Sequence, residues 1–494
     1  MSKPFAMALV VCAAFAVCLL AGGASAGNGG TTLDSSKPTW WDKYERVSAP
    51  GFVPTVPGGG GSIRVGANVD VSNEVGPQSE TSIATNPNST SAVVAGSNEI
   101  DRLPMRGYFS SNGGKSYGGV DLPLPDPTKS NGFDFGSDPG VAWDAFGNVY
   151  YSYIVVFFSS GGAIAGSEVA VARSSDDGRT WTPTYFNFEH GGAKFNDKPM
   201  ITVDNNPGSP FFGTVYVAWD TTNGVGGKPS TTGVVVSRST NHGVTFSAPV
   251  FASDTHGGPH FGIGADPFVA PDGTLHVAWH DQTNAIVESS SSDGGASFGP
   301  ANLIAPTIVA FDIAAPAEST RGVLIYPSCD SDRSNGPNRG TLYCVWEDST
   351  TTGDGLDVFS SRSTDGGLTW SAPLRVNDDA HGVANDQFYQ WLSVDPSDGS
   401  LNVSFYDTRL DPTHLSTNVF YTRSTDAGLS FAPNVRVTDA STNETCCGAQ
   451  LGDQYGDYEG MSAVSGVARP VWTDRREAVQ ALNEEVFSAT ITTR

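Results

Sequence analysis

Basic residues are scarce in this chain. Only 27 Lys and Arg residues oppose 52 Asp and Glu residues, which leaves a formal net charge of −25 over 494 residues. Nucleic acids and anionic membrane surfaces repel a chain of this charge, so neither is an expected partner. A cation or a mostly neutral glycan suits the charge better. The charged fraction is also low, at 16%, which argues against a solvated, disordered chain.

Long apolar runs are confined to the N-terminus. Lys3 precedes an apolar run from about Phe5 to Leu20, and a small-residue site ends at Ala26. This order is typical of a secretory signal peptide cleaved after Ala26. No later run is long enough to span a bilayer. We therefore expect residues 1–26 to be removed and the mature protein to be secreted, with no transmembrane segment, and to be a monomer.

Cysteine is rare, with six residues in the whole chain and four after the signal peptide. Cys329 and Cys344 lie on the two predicted strands of one hairpin, where a disulfide suits an exported protein. Cys446 and Cys447 are adjacent. A vicinal disulfide, two reduced thiols and pairing elsewhere are the alternatives for this second pair.

Helical periodicity is missing, and so are several catalytic motifs. No Gly-rich phosphate loop, H-E-x-x-H, G-x-S-x-G or zinc-spaced C-x-x-C pair occurs. Short runs rich in β-branched and aromatic residues instead alternate with turns of Gly, Asn and Asp. The 58 Gly and 31 Pro residues suit many tight turns. The pattern predicts an all-β fold.

One motif recurs six times, and we call it the box. Its clearest copy is STDGGLTW, which follows the pattern S-x-D-x-G-x-[TS]-[WFY] with Asn replacing Asp in two copies. An Asp or Asn side chain can bond backbone amides in a turn, and Gly accepts a positive φ angle. The box is therefore expected to be a structural turn between two strands. The copies are residues 110–117, 174–181, 239–246, 291–298, 363–370 and 424–431.

Successive boxes begin 64, 65, 52, 72 and 61 residues apart, which is enough for four strands and their loops. A four-stranded sheet repeated around an axis is a β-propeller blade. Seven hairpins accompany the boxes, so we predict seven blades, with six as the alternative. Residues 63–71 would supply the last strand of the last blade and close the ring. Residues 27–62, rich in Gly and Pro, are expected to be a linker or arm before the propeller of residues 63–494.

The six boxes resemble the Asp boxes, or BNR repeats, of the sialidase (neuraminidase) superfamily, and the resemblance covers roughly residues 63–494. It implies a propeller and a glycan-active site. Sialidases also carry an arginine triad, a Tyr nucleophile and an Asp acid/base, with an Arg-Ile-Pro element in the first blade. The nearest match here, Arg102-Leu103-Pro104, lies only eight residues before the first box, so the element is absent from its usual place.

Polar residues gather where first strands begin and second strands end, and both places lie on the face opposite the boxes. A glycosidase needs a carboxyl that donates a proton and a carboxylate or Tyr that attacks or activates water. The candidate catalytic residues are Asp138, Asp386, Asp457 and Tyr458. Structural turn hydrogen bonds are the alternative for these carboxylates, and packing is the alternative for Tyr458.

A second group could bind the substrate. Arg can hold an anionic group bidentately, and other polar side chains can bind hydroxyl groups. The candidates are Lys198, His280, Asp281, Asp407, Arg409, Arg475 and Arg476. Crowded carboxylates also suggest a structural Ca²⁺, although no Ca²⁺-binding loop motif occurs. We expect no required cofactor and assign no metal ligand.

The sequence thus favours an exported, sialidase-like glycan-active enzyme, most simply a glycoside hydrolase. A polysaccharide lyase is a further alternative. The alternative from another class is a non-catalytic propeller that binds glycan or protein at the cell surface, because this fold alone does not determine activity. Arginines that converge on Asp138 and Tyr458 would favour the enzyme, and arginines scattered around the rim would favour the binding module.

Overall fold

The computed structural model describes most of the chain after residue 62. The described residues are 63–74, 76–125, 134–161, 163–191, 194–222, 233–253, 262–281, 283–349, 355–381, 383–446, 449, 454–476 and 484–493. The predicted signal peptide and the predicted linker or arm lie outside these ranges, so both stay predictions.

The described residues form β-strands and one short 3₁₀ helix, Pro316–Glu318. In chain order the strands are β1 (Arg64–Asp70), β2 (Gln78–Thr85), β3 (Val93–Glu99), β4 (Arg106–Ser110), β5 (Gly118–Asp121), β6 (Asp134–Trp143), β7 (Val149–Phe158), β8 (Ile164–Ser174), β9 (Thr182–His190), β10 (Phe195–Val203), β11 (Val215–Thr222), β12 (Gly233–Ser239), β13 (Val250–Phe251), β14 (Ile263–Val269), β15 (Leu275–His280), β16 (Ala285–Ser291), β17 (Asn302–Pro306), β18 (Asp312–Ile313), β19 (Val323–Leu324), β20 (Ser328–Ser331), β21 (Leu342–Ser349), β22 (Leu356–Ser363), β23 (Leu374–Arg375), β24 (Gln387–Val394), β25 (Leu401–Asp407), β26 (Asn418–Ser424), β27 (Val435–Arg436), β28 (Gly460–Val464), β29 (Val467–Asp474) and β30 (Glu485–Thr492).

The fold is a seven-bladed β-propeller of four-stranded antiparallel sheets, which confirms the predicted fold and blade number. Blades 1 to 6 are β2–β5, β6–β9, β10–β13, β14–β17, β20–β23 and β24–β27. Blade 7 has the order β28, β29, β30, β1. A small two-stranded sheet, β18 with β19, is inserted between blades 4 and 5.

The N-terminal strand closes the ring as predicted. Strand β1 pairs antiparallel with β30, with Arg64 opposite Thr492 and Asp70 opposite Phe487. The two ends of the described chain therefore share one sheet, and the pairing covers an edge of β30 that would otherwise stay open. Asn68 Nδ2 also donates to the Val437 carbonyl of blade 6 at 2.9 Å, which ties the closing strand to its neighbour.

Aromatic residues at the ends of the second strands fill the spaces between blades. Trp219, Trp279, Trp346 and Trp472 are all at most 2% exposed. Trp219, for example, packs with Val171 and Phe186 of the preceding blade. Their burial supports the packing role that their recurrence indicates, because a side chain in a blade interface cannot also stack on a ligand.

Each box joins the third and fourth strands of its blade. In the second copy, Ser174 Oγ donates to Asp176 Oδ1 at 2.7 Å and accepts the Gly178 amide at 2.9 Å. Asp176 also accepts the Thr180 hydroxyl at 2.7 Å. Gly178 has a φ of 84°, a conformation that side chains disfavour. The box is thus a self-contained hydrogen-bonded turn, as its sequence predicts.

The predicted disulfide between Cys329 and Cys344 is present and joins directly opposite residues of β20 and β21. Cys447 lies outside the described residues, so the state of the second pair stays a prediction. Within the described ranges, no helix has the length and apolar character needed to cross a membrane.

Candidate functional site

The first strands of five blades share an irregularity at the same place. Their pairing register shifts near the start of β2, β6, β10, β14 and β24. Such bulges re-aim a side chain. The residue at each shift has a positive φ, which is the left-handed backbone conformation. For a residue other than Gly this conformation costs on the order of 1–3 kcal/mol, and it is concentrated at functional sites. The residues with positive φ at these shifts are Glu80, Asp138, Lys198, Gly264 and Tyr389.

Three of these bulge residues, Glu80, Asp138 and Lys198, line one cavity of about 560 Å³. The cavity lies where first strands begin, so it is on the face opposite the boxes. Its volume falls within the range of about 300–1,000 Å³ common for small-molecule sites. The lining residues are Glu80, Asn98, Ser137, Asp138, Asp197, Lys198, Ile263, Asn284, Ala310, Phe311, Asp312, Arg321, Leu324, Tyr326 and Asp457.

Asp457 holds both cations of the cavity. Lys198 Nζ donates to Asp457 Oδ2 and lies 3.4 Å from Glu80 Oε1. Arg321 Nη2 lies 2.5 Å from Asp457 Oδ1 and 3.6 Å from Glu80 Oε1. Asn98 Nδ2 donates to the other Glu80 oxygen. The four side chains therefore form one network that joins blades 1, 3 and 7 to the insertion between blades 4 and 5.

Asp138 is the centre of a second group, made of carboxyls. The neighbouring carboxyl groups of Asp197 and Glu80 act to lower its pKa. Its Oδ2 accepts the Lys198 amide at 3.2 Å, and its Oδ1 accepts the Ser137 hydroxyl at 2.9 Å. Neighbouring carboxylates disfavour one another's ionisation, so the titrations of these groups are linked.

The environment shifts the pKa values of these carboxyls in two directions. Burial raises the pKa of Glu80 well above its usual range, although Lys198 opposes the effect. Burial and then Asp138 raise the pKa of Asp197 in the same direction. For Asp457, burial is outweighed by Lys198 and Arg321, which hold its pKa below the usual range. The pKa of Asp138 is likewise lowered, since Lys198 and the hydrogen bonds it accepts outweigh burial.

The insertion between blades 4 and 5 supplies the far side of the cavity. Arg321 follows the 3₁₀ helix and precedes β19, and Phe311 precedes β18. The amides of Thr320 and Arg321 donate to Gln454 Oε1 of the approach to blade 7, at 3.2 and 3.1 Å. The Tyr389 hydroxyl of blade 6 donates to the Gly322 carbonyl at 3.1 Å. The insertion is thus bonded to blade 6 and to the approach to blade 7.

The sequence reasoning missed Arg321, Tyr326 and Phe311. One signal pointed to them: the fourth and fifth boxes begin 72 residues apart, the longest interval of the series. The excess length is the insertion. Its residues carry no recurring pattern, so their place at the cavity follows only from the three-dimensional path of the chain.

Among the predicted catalytic residues, the structure brings Asp138 and Asp457 together at the cavity, with the predicted binding residue Lys198. Tyr458 lies beneath them. It is 4% exposed, its hydroxyl donates to the Pro139 carbonyl at 3.1 Å, and its ring lies 5.7 Å from Lys198 Nζ. Asp386 does not line the cavity, and its Oδ1 accepts the Leu356 amide at 3.1 Å.

The three predicted binding arginines do not line the cavity. Arg409 Nε lies 2.7 Å from Asp407 Oδ2, and Arg476 Nη2 lies 2.5 Å from Asp474 Oδ2. Arg475 donates to the Cys446 carbonyl at 2.8 Å. The described part of the chain therefore brings no arginine triad to Asp138, and Arg321 is the one arginine in the lining.

The last three predicted binding residues, His280, Asp281 and Asp407, do not line the cavity either, and Asp407 is paired with Arg409. His280 is fully buried, and its ring centroid lies 5.2 Å from that of Phe311. Burial lowers the pKa of His280 to about 4, so its ring is neutral. Asp281 accepts the Thr283 amide at 2.7 Å and closes a turn.

A metal site is not apparent within the described residues, which contain no group of three or more His, Cys, Asp or Glu residues arranged to hold an ion. The expected structural Ca²⁺ is therefore still a prediction, which metal analysis of the purified protein can test.

No protein-family model and no curated protein matches this chain. Solved structures resemble it at low identity. A protein of unknown function from Dyadobacter fermentans is 15% identical, with a TM-score of 0.47 over 73% of this chain and 95% of its own. The intramolecular trans-sialidase from Ruminococcus gnavus is 14% identical, with a TM-score of 0.46 over 77% and 100%. An alpha-L-arabinofuranosidase from Fusarium graminearum is 12% identical, with a TM-score of 0.44 over 73% and 97%.

Proposed function

We propose that this protein is an exported glycan-active enzyme, a glycoside hydrolase that works through the carboxyl groups of the cavity. The observation that carries the proposal is the group of Glu80, Asp138, Asp197 and Asp457 around one cavity, with pKa values displaced in opposite directions. Pairs of titratable groups whose environments separate their pKa values are the usual acid and base of an active site. The disulfide between Cys329 and Cys344 is compatible with export.

Glu80 is the proposed general acid. Its pKa is raised because burial disfavours its charged form, which suits a proton donor. It would give its proton to the glycosidic oxygen as the bond from the anomeric carbon to that oxygen breaks. Asn98 Nδ2 and Lys198 Nζ hold the carboxyl in place, and they stabilise the carboxylate that remains after proton transfer.

Asp138 is the proposed base or nucleophile. Its lowered pKa keeps it ionised, and its left-handed backbone directs it into the cavity. It would either remove a proton from the attacking water or bond to the anomeric carbon itself. Asp457 has a positioning role, because it fixes the ammonium of Lys198 and the guanidinium of Arg321.

Hydrolysis of a panel of reporter glycosides and polysaccharides, sialosides included, tests this proposal. We expect turnover of at least one substrate and a loss of about 10²-fold or more in Glu80→Gln. An activated aryl glycoside needs little protonation of its leaving group, so Glu80→Gln should retain much more activity on it than on an alkyl glycoside. Asp138→Asn should lose activity on both. Equal losses in Glu80→Gln on the two substrates would contradict the acid role.

A non-catalytic glycan-binding propeller is the second candidate. The observation that favours it is the placement of Arg409, Arg475 and Arg476 in local contacts away from the cavity. Saturable binding of a glycan that the folded protein never cleaves, with Ca²⁺ present, would establish this candidate and reject the enzyme.

A further inference from the structure

We infer that the cavity takes an uncharged sugar ring, whose apolar face stacks on Phe311 and whose hydroxyl groups contact the carboxyls opposite. This inference rests on the proposed function and names its substrate class. It depends on three features of the described residues: an apolar wall, an excess of carboxyl groups over cations and a buried hydroxyl without a partner.

The apolar wall consists of Ile263, Ala310, Phe311 and Leu324, all in the cavity lining. Its polar counterpart is the network of Glu80, Lys198 and the residues around them. A cavity with one apolar wall and one polar wall suits a sugar, which has an apolar face of C–H groups and a rim of hydroxyls.

Phe311 is held as a rigid platform. Its ring centroid lies 5.2 Å from that of His280 and 5.4 Å from that of Tyr326, at tilts of 45° and 56°. The side chain is partly exposed at the cavity, while His280 behind it is fully buried. His280, predicted to bind substrate, would thus act through Phe311 by fixing the angle of its ring.

Carboxyl groups outnumber cations in the cavity lining by five to two. Both cations, Lys198 and Arg321, are paired with Asp457, and both also lie within 3.6 Å of Glu80. The other carboxyl groups of the lining belong to Asp138, Asp197 and Asp312. A substrate carboxylate would meet cations that are already paired and would be repelled by Asp138 and Asp457. Hydroxyl groups can donate to these carboxyl groups without adding charge.

Tyr326 supplies the third feature. It lines the cavity and is 7% exposed, and among the described residues its hydroxyl oxygen has no hydrogen-bond partner. A buried polar group without a partner is costly. A sugar hydroxyl at this wall would remove that cost.

The test measures the binding of glycans to the Glu80→Gln variant by calorimetry. This variant is used because it should leave bound glycans uncleaved. The probes are oligosaccharides that end in a neutral hexose or pentose, matched with analogues that end in a uronic or sialic acid. We expect at least one uncharged probe to bind at least tenfold more tightly than its acidic analogue. Tighter binding of the acidic analogue, or binding of neither class, would overturn the inference. The proposed function is tested separately, by measuring whether the unsubstituted protein turns over a glycan.

Variants of Phe311 distinguish stacking from packing. An aromatic contact is worth roughly 0.5–1.5 kcal/mol beyond burial, so Phe311→Ala should weaken binding about tenfold. Phe311→Leu keeps apolar volume without a flat face and should be nearly as weak, whereas Phe311→Trp should restore binding. Restoration by Leu and not by Trp would reject the platform. Ile308→Ala, at a residue 54% exposed on the same insertion, is the matched control and should bind normally.

Discussion

The two faces of the propeller use the same residue type in opposite ways. Box carboxylates such as Asp365 are exposed and take their hydrogen bonds from the same turn, with the Thr369 hydroxyl at 2.5 Å. These local bonds lower the pKa of Asp365. Cavity carboxyls such as Asp138 are buried and also take contacts from other blades, here the Lys198 amide. An Asp satisfied by its own turn stabilises a loop, and an Asp held partly by distant residues can take part in chemistry.

Turnover should separate the faces most strongly. Asp138→Asn removes the proposed base or nucleophile, and we expect kcat to fall about 10²-fold or more. Asp365→Asn, the matched change on the box face, should leave kcat within about twofold, since it touches no cavity residue. Steady-state kinetics on one substrate checks both. A similar loss in the two variants would erase the functional distinction between the faces.

Stability should respond most to Lys198. Lys198→Met leaves Asp457 and Glu80 buried with one cation instead of two, and breaking a buried ion pair costs about 3–5 kcal/mol. Denaturant unfolding monitored by circular dichroism measures the loss. Arg179→Met serves as the control, because its 3.3 Å pair with Asp177 is exposed and should contribute no more than about 1 kcal/mol. A stable Lys198→Met protein would show that the network is not structural.

The faces should also respond to pH in opposite directions. Burial raises the pKa of Asp220 to about 7 and those of Asp266 and Glu347 to about 8. The folded state then binds more protons than the unfolded state, so these groups lose stability as pH rises from about 4 to about 8. The lowered pKa of a box residue such as Asp293 gives stability that is lost only below about pH 4. We expect Tm at pH 8.5 to be roughly 10 °C below that at pH 5.5.

A calorimetric scan series measures this dependence. An Asp266→Asn variant should flatten it in part, because the amide cannot ionise. A Tm that rises between pH 5.5 and 8.5 would show that the buried carboxyls are not protonated.

The smallest effect should come from a single box. Ser363 Oγ accepts the Gly367 amide at 2.9 Å and donates to Asp365 at 2.8 Å, so Ser363→Ala removes two hydrogen bonds of one turn. We expect a loss of about 1–2 kcal/mol in the free energy of unfolding, with unchanged turnover. Thermal unfolding beside a steady-state assay tests this. Lost turnover at full stability would link the box to the cavity.

The contrast between the faces also explains which parts of the fold and of the site could be predicted from the sequence. The fold was predictable because the boxes are local: Ser174, Asp176 and Gly178 bond within one turn, so the pattern survives in the sequence. Ring closure was predictable because β1 resembles a fourth strand. Asp138, Asp457 and Lys198 were predictable as a set because first strands begin on one face.

The rest of the site depends on contacts that no local pattern records. Arg321, Phe311 and Tyr326 reach the cavity through the insertion and its bonds to distant blades. The arginines Arg409 and Arg476 each follow an Asp by two residues and pair with it instead of lining the cavity. The bulges that aim Glu80 and Asp138 at the cavity are not marked by any sequence pattern apart from that of the strands themselves.

Ring closure by β1 has a consequence for the order of folding. Strand β1 is made before every other strand, and its partner β30 is made last. Contacts between residues so far apart in sequence form slowly, since a long loop must close first. The chain would therefore emerge from the ribosome as a set of blades without a finished ring. The ring can close only after β30 has been made and has paired with β1.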